Sequence, residues 1–189
     1  MKAVDQIIAE IEAAFADVPY PGDWCHSREG KGKPRQLFPH WEPDLVERDF
    51  LGKRDWRVLD AKFLDLAPDG FASALAFFSP TSFRFYIPAF MIAELRGLLE
   101  CATPTFYLTH GLYEPSKSEL IKSRGYKNKT WFDDARERFT AFDRDQSLAV
   151  IAYLEWAAEA HDGFEREYVE PALDNYWRGK VAGEALPGA

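Results

Sequence analysis

Apolar residues recur at helical spacing along most of this chain. Val4, Ile7, Ile8, Ile11 and Phe15 share one face with charges opposite, which predicts an amphipathic helix over residues 3–16. Val18-Pro19-Tyr20-Pro21-Gly22 stops it, because proline cannot extend the hydrogen-bond ladder. Residues 22–42 show no period and are rich in Gly, Pro and charge, which predicts a long surface loop. A short helix over 43–52 turns Leu45, Val46 and Phe50 inward and closes at Gly52. Trp56, Leu59, Phe63, Leu64 and Leu66 line the next helical face before Pro68. Asp69 then opens a short piece carrying Phe71, Ala74, Leu75 and Phe78. Ser79-Pro80 joins an N-cap residue to a proline at the first helical position. It opens a turn or two with Phe83, Tyr86 and Ile87. Pro88 ends or kinks that piece and starts a helix over 88–100, with Met91, Leu95, Leu98 and Leu99 in the core.

Beyond residue 100 the pattern is weaker. Thr105-Phe106-Tyr107-Leu108-Thr109 reads as a short strand, ahead of coil. Ser116-Lys117-Ser118-Glu119 matches a capping box for a helix of about two turns, with Gly125 after it. Trp131 to Phe139 reads as helix, and Asp143 with Gln146 marks the start of a strong helix over 144–160. That helix carries Leu148, Ile151, Leu154 and Ala158 on one side and Val150, Tyr153 and Ala157 on much of the other, as a central helix would. A last helix over 163–178 is kinked or split at Pro171, and the tail 179–189 frays. The expected architecture is all-α: one compact domain over residues 1–189, of six to eight helices, several of them short, with at most one small β element near 105–109.

The most individual segment is Leu75-Ala76-Phe77-Phe78-Ser79-Pro80-Thr81-Ser82-Phe83-Arg84-Phe85-Tyr86-Ile87-Pro88-Ala89-Phe90-Met91. It resembles the core of an uncharacterised bacterial family of unknown function with an SP-x-x-FR-[YF]-Y-[LI]-PA-[FY] pattern. Phe15-Ala16-Asp17-Val18-Pro19 and the stretch from Phe142 through Gln146 to Ala149-Val150 add to the likeness, which runs from about residue 5 to 160. The resemblance implies a bacterial, mostly helical, stand-alone protein and brings no activity or catalytic residue with it.

Charge narrows the partner classes. The 189 residues carry a formal net charge of −8, unevenly spread. Arg28, Lys31, Lys33 and Arg35 stand against Glu29 in one basic stretch, and Lys117, Lys122, Arg124, Lys127 and Lys129 stand against Glu119 in another. From Asp133 onward acids outnumber bases. An acidic surface repels phosphate backbones, steers basic partners and aids solubility. A nucleic-acid partner is therefore not expected, and a basic protein partner is. Two cysteines give no disulfide framework, and the start lacks a secretory h-region. No apolar run reaches the ~18 residues of a membrane span, so a cytoplasmic protein without membrane contact is expected.

Candidate chemistry is sparse. Phosphate-loop, dinucleotide, zincin, hydrolase-elbow and paired-cysteine strings are all absent. Cys25, His26 and His40 offer metal-ligand types at a spacing that fits no standard zinc site, so no metal and no cofactor is expected. Arg84 sits among apolar neighbours and needs a carboxylate, with Asp60, Glu94 and Glu155 as candidates. Alternatively it forms an anion pocket with Tyr86 and Trp56. Tyr20, Trp24, Phe38 and Trp41 lie in a polar stretch without a periodic face to hide on, as anchors of a binding surface do, although a local cluster under the loop fits equally. Trp24, Trp41, Tyr20 and Arg84 are accordingly the candidate binding residues. The composition fits a non-enzymatic interaction protein, such as an immunity protein or antitoxin that neutralises a basic toxin. The alternatives are an enzyme built on the 23–40 loop and Arg84, and nucleic-acid contact through 117–129 with Tyr126 stacking on a base.

Overall fold

A computed structural model describes residues 2–23, 42–66, 74–122, 126, 128–160 and 164–183. Nine α-helical pieces are described: α1 (Val4–Ala14), α2 (Glu42–Phe50), α3 (Ala61–Leu66), α4 (Pro80–Leu95), α5 (Pro104–Thr109), α6 (Trp131–Phe139), α7 (Arg144–Ala160), α8 (Phe164–Ala172) and α9 (Arg178–Ala182). The last two are joined end to end by a π-helical segment, Leu173–Trp177. The protein is all-α. Among the described residues an isolated β-bridge pairs Leu120 with Thr130, and no helix is long and apolar enough to cross a membrane. The chain divides into two compact units, one made of Met1–Ala14 with Thr105–Ala189 and the other of Phe15–Pro104.

The Phe15–Pro104 unit is built on α4. Ser79 caps it, its hydroxyl accepting the Ser82 N–H at 3.2 Å, and Pro80 is its first residue. Pro88 neither ends nor restarts it: the helix runs through the proline from Pro80 to Leu95. A mid-helix proline costs about 3 kcal/mol. Phe83, Phe85, Tyr86, Ile87, Phe90 and Met91 are all buried, each contributing about 1.5–3 kcal/mol, so packing outweighs the lost hydrogen bond. The expected run to residue 100 is too long. Gly97 adopts φ +66° and the Leu98 N–H bonds back to the Ala93 carbonyl at 3.0 Å, which closes the helix and leaves Leu98 exposed rather than in the core. Leu66, expected on the buried face, is also exposed. Asp69 and Phe71 lie outside the described residues.

After α4 the chain is pinned by one carboxylate. Asp65 at the end of α3 accepts the N–H groups of Glu100, Cys101 and Ala102 at 2.7–2.9 Å. Partial burial raises the Asp65 pKa, and the three amides lower it by more, so the carboxyl sits below its usual value. A depressed folded pKa gives stability that is present above the unfolded carboxylate value of about 3.9 and is lost as pH falls through the folded value. Asp65→Asn is expected to destabilise by about 1–2 kcal/mol at pH 7. Urea midpoints compared with wild type at pH 7 and near pH 3 check this, the gap narrowing in acid. A gap that is constant with pH would show that the carboxylate charge is not what holds the turn.

The other unit is built on α7. Asp143 and Gln146 cap it reciprocally, the Gln146 N–H to Asp143 Oδ1 at 2.9 Å and the Asp143 N–H to Gln146 Oε1 at 3.2 Å. The expected helix start is therefore correct. Ala149, Val150, Tyr153, Leu154 and Ala157 are buried. The expected strand at 105–109 is instead helix α5. Pro104 opens it, and the Thr109 hydroxyl donates to the Thr105 carbonyl at 2.9 Å. Thr105 bonds the Tyr153 hydroxyl at 2.8 Å, so both β-branched residues are satisfied inside a helix. The expected capping box at Ser116 is also absent. Ser116 is buried in a 3₁₀ turn, Glu114–Lys117, with no hydrogen bond to its hydroxyl. The chain then pairs with itself, the Ile121 N–H to the Lys129 carbonyl and the Trp131 N–H to the Glu119 carbonyl. A true capping box stands at Thr130 and Asp133, opening α6.

Candidate functional site

The face that α1 and α7 present to solvent carries two adjoining hollows. Ile7, Ile8 and Ile11 commit one side of α1 to the core. Gln146 at the start of α7 donates from Nε2 to the Ala14 carbonyl at 3.3 Å, which fixes the end of α1 against it. Between them lies a hollow of about 580 Å³ floored by Ala13, Ala14, Leu148, Ala149, Ile151 and Ala152. Its charged lining is Lys2, Glu10, Asp145 and Glu155. Leu148 is 39% exposed there. The expectation that Leu148 packs in the core is thus corrected. Leu154 and Ala158 on the same expected side of α7 are buried, whereas Leu148 and half-buried Ile151 face this hollow.

A second hollow of about 430 Å³ continues past Ala152 and Glu155 toward α8 and α9. Half-buried Trp156 lines it, with Glu159, Arg166, Glu170 and Arg178. Arg178 is the hub of its charge network. It reaches Asp174 at 2.5 Å, Glu155 at 3.3 Å and Glu170 at 3.8 Å. Hydrogen bonding to Asp174, helped by Glu155, raises the Arg178 pKa. The π turn at Leu173–Trp177 follows Pro171, whose missing N–H interrupts the regular ladder. Lys2 lines both hollows. Its ammonium bonds Glu10 Oε1 at 2.9 Å and Oε2 at 2.7 Å, and the pair is exposed on both sides. Neither lining contains a histidine, cysteine, serine or threonine among the described residues. The linings offer apolar contact and charge.

The residues singled out from the sequence lie elsewhere. Trp24 and Trp41, and with them Cys25, His26 and His40, are outside the described residues. Tyr20 is half-buried. Its hydroxyl donates to Asp23 Oδ1 at 2.7 Å, its ring meets Phe85 edge-on at 5.6 Å, and Arg54 lies over it at 5.9 Å. Desolvation, then Asp23, raises its pKa. Tyr20 thus joins the aromatic packing of α4. Arg84 is half-buried and engaged. Of its expected partners, Asp60 caps α3 by accepting the Phe63 N–H at 2.8 Å, and Glu155 pairs with Arg178. In the alternative anion pocket of Arg84, Tyr86 and Trp56, the Tyr86 hydroxyl is engaged, donating to the Lys53 carbonyl at 2.9 Å, and Trp56 is buried under Arg57.

In the basic stretch 117–129, Lys117 bonds Glu114 and Asn175, and Lys129 bonds Glu137 and lies 3.6 Å from Asp134. These two lysines are turned to partners within the chain, while Arg124 and Lys127 lie outside the described residues. What sequence reasoning missed is Lys2, Glu10, Leu148 and Trp156. The available signal was the apolar excess on α7, wider than one buried face needs.

A family described as "Family of unknown function (DUF6714)" matches residues 40–181. That range contains the Ser79–Phe90 segment and excludes the amphipathic start at residues 5–19. No curated protein and no solved structure matches the chain.

Proposed function

The chain belongs to the DUF6714 family, whose function is unknown, and from that premise we propose that it is a non-enzymatic cytoplasmic interaction module whose α1–α7 face receives a basic protein partner. One observation carries the reading: a hollow floored by alanine, leucine and isoleucine, with Glu10, Asp145 and Glu155 set against Lys2 alone. An apolar floor with a charged rim is how helical segments are held in grooves. The net charge of −8 steers a basic molecule toward such a rim. In its most specific form the partner is a basic toxin, which the chain neutralises as an immunity protein or antitoxin does.

The test is capture from the native host with wild type and with Leu148→Asp in parallel, followed by reconstitution with the purified partner. A basic protein should be recovered, binding at least tenfold more weakly to the variant and more weakly as salt rises. Leu148 is at the surface, so the variant should keep the wild-type circular dichroism. A purified partner that binds both proteins equally would refute the assignment of this face.

A further inference from the structure

Lys2 is the one charged residue common to both hollows of the α1–α7 face that brings a positive charge to a floor otherwise rimmed by carboxylates at its α1 end. It lies just ahead of α1, yet its ammonium reaches Glu10, two helical turns further on, and bonds both carboxylate oxygens. Gln6 supports the same carboxylate, its Nε2 donating to Glu10 Oε1 at 3.2 Å. The side chain therefore runs along the face a partner would cover, and it places a lysine ammonium where the rim is acidic. The fold thus contains its own example of the ligand chemistry that the rim accepts.

We propose that Lys2 is an intramolecular stand-in for a cationic side chain of an amphipathic helix, and that the helix docks along α7 by displacing Lys2 from Glu10. The inference rests on the reading of this face as the partner surface. Charge complementarity selects the occupant: with Lys2 swung aside, the joined lining keeps Glu10, Asp145, Glu155, Glu159 and Glu170 against Arg166 and Arg178. The lining runs along α7 from Asp145 to Glu159, about 21 Å at 1.5 Å per residue, which matches a helix of about four turns. Alanines 13, 14, 149 and 152 on the floor let a helical backbone approach closely. Displacement is easy, because Lys2 is 47% and Glu10 34% exposed and an exposed ion pair holds weakly. The incoming ammonium or guanidinium replaces the bond that Lys2 gives up. Lys2 therefore weakens docking only by the small worth of its exposed pair, and filling the apolar floor supplies most of the affinity.

The experiment uses the full chain and a defined probe, a fluorescent 18-residue helical peptide of leucine and lysine with all leucines on one face. A peptide of the same composition in scrambled order serves as the control. Anisotropy titrations compare wild type, Lys2→Ala and Leu148→Asp, each first checked for unchanged circular dichroism. Removing the competitor should tighten amphipathic-peptide binding about two- to fivefold, the worth of an exposed pair. Leu148→Asp should weaken it at least tenfold, and the scrambled peptide should bind more weakly to all three. If Lys2→Ala binds no more tightly than wild type while Leu148→Asp still loses affinity, Lys2 is not a competitor and this inference falls, although the face remains the binding surface. If Leu148→Asp binds like wild type, the reading of the face itself falls.

Discussion

Replacing Trp177 with alanine is expected to lower the free energy of unfolding by about 3–5 kcal/mol, the largest effect of any substitution considered for this chain. Trp177 is fully buried and among the largest side chains so placed. Its ring lies 4.8 Å from Phe139, 5.7 Å from Phe142 and 5.2 Å from Tyr176, at tilted or edge-on angles that suit aromatic pairs. Alanine would leave a cavity that three rings from different elements cannot close together. The indole also satisfies a buried polar group, Nε1 donating to the Leu108 carbonyl at 3.0 Å. Trp177→Phe separates the two contributions. It keeps most of the ring volume and removes the donor, so a loss of about 1–3 kcal/mol is expected from the orphaned carbonyl. Urea unfolding followed by far-ultraviolet circular dichroism measures both. Equal losses for the two variants would show that the hydrogen bond, not the packing, dominates, and a loss under about 1 kcal/mol for Trp177→Ala would show that the site collapses freely.

The sequence announced those elements whose signals are local. The α1 stripe, the Ser79-Pro80 cap and the Asp143–Gln146 start each reside in a few adjacent residues, and each is found where the pattern placed it. The misplaced elements depend on distant partners. Thr105 and Thr109 have strand propensity, but the Tyr153 hydroxyl, 48 residues from Thr105, helps to settle them in a helix. Pro88 reads as a break until the burial of its neighbours is counted. Ser116 has the spacing of a cap, yet the backbone after it is drawn to Lys129 and Thr130. The candidate face was hidden for the same reason. Lys2 and Glu10 look like ordinary surface charges, and Leu148 looks like core. Only the packing of α1 on α7 shows which apolar residues of α7 are left over for solvent. Tyr20 shows the converse: its polar stretch leaves surface anchor and local cluster equally open, and its ring meets Phe85 on a helix more than sixty residues away.

Gly111→Ala should be nearly as disruptive as the tryptophan truncation, although it adds a single methyl group. Gly111 follows α5 with φ +85°, a left-handed conformation that costs an alanine roughly 1–3 kcal/mol. The added Cβ would also stand 2.6 Å from the Trp131 carbonyl oxygen and 3.0 Å from the Ala135 Cβ, both on α6. The carbonyl is backbone and cannot rotate away. That end of α6 is held by the Thr130–Asp133 capping box, and the Trp131 N–H is tied to the Glu119 carbonyl. Relief therefore requires α5 and α6 to separate or the cap to open, and a total loss of about 3–4 kcal/mol is expected. Gly97→Ala supplies the control. Gly97 has a similar φ of +66°, with nothing within 4 Å of its added Cβ, so it isolates the conformational strain at about 1–2 kcal/mol. Denaturation midpoints of the two variants against wild type read the difference directly. If Gly111→Ala and Gly97→Ala lose the same stability, the close approach of α5 to α6 contributes nothing beyond backbone strain. A clearly larger loss at Gly111 establishes that glycine is needed there for contact as well as for conformation.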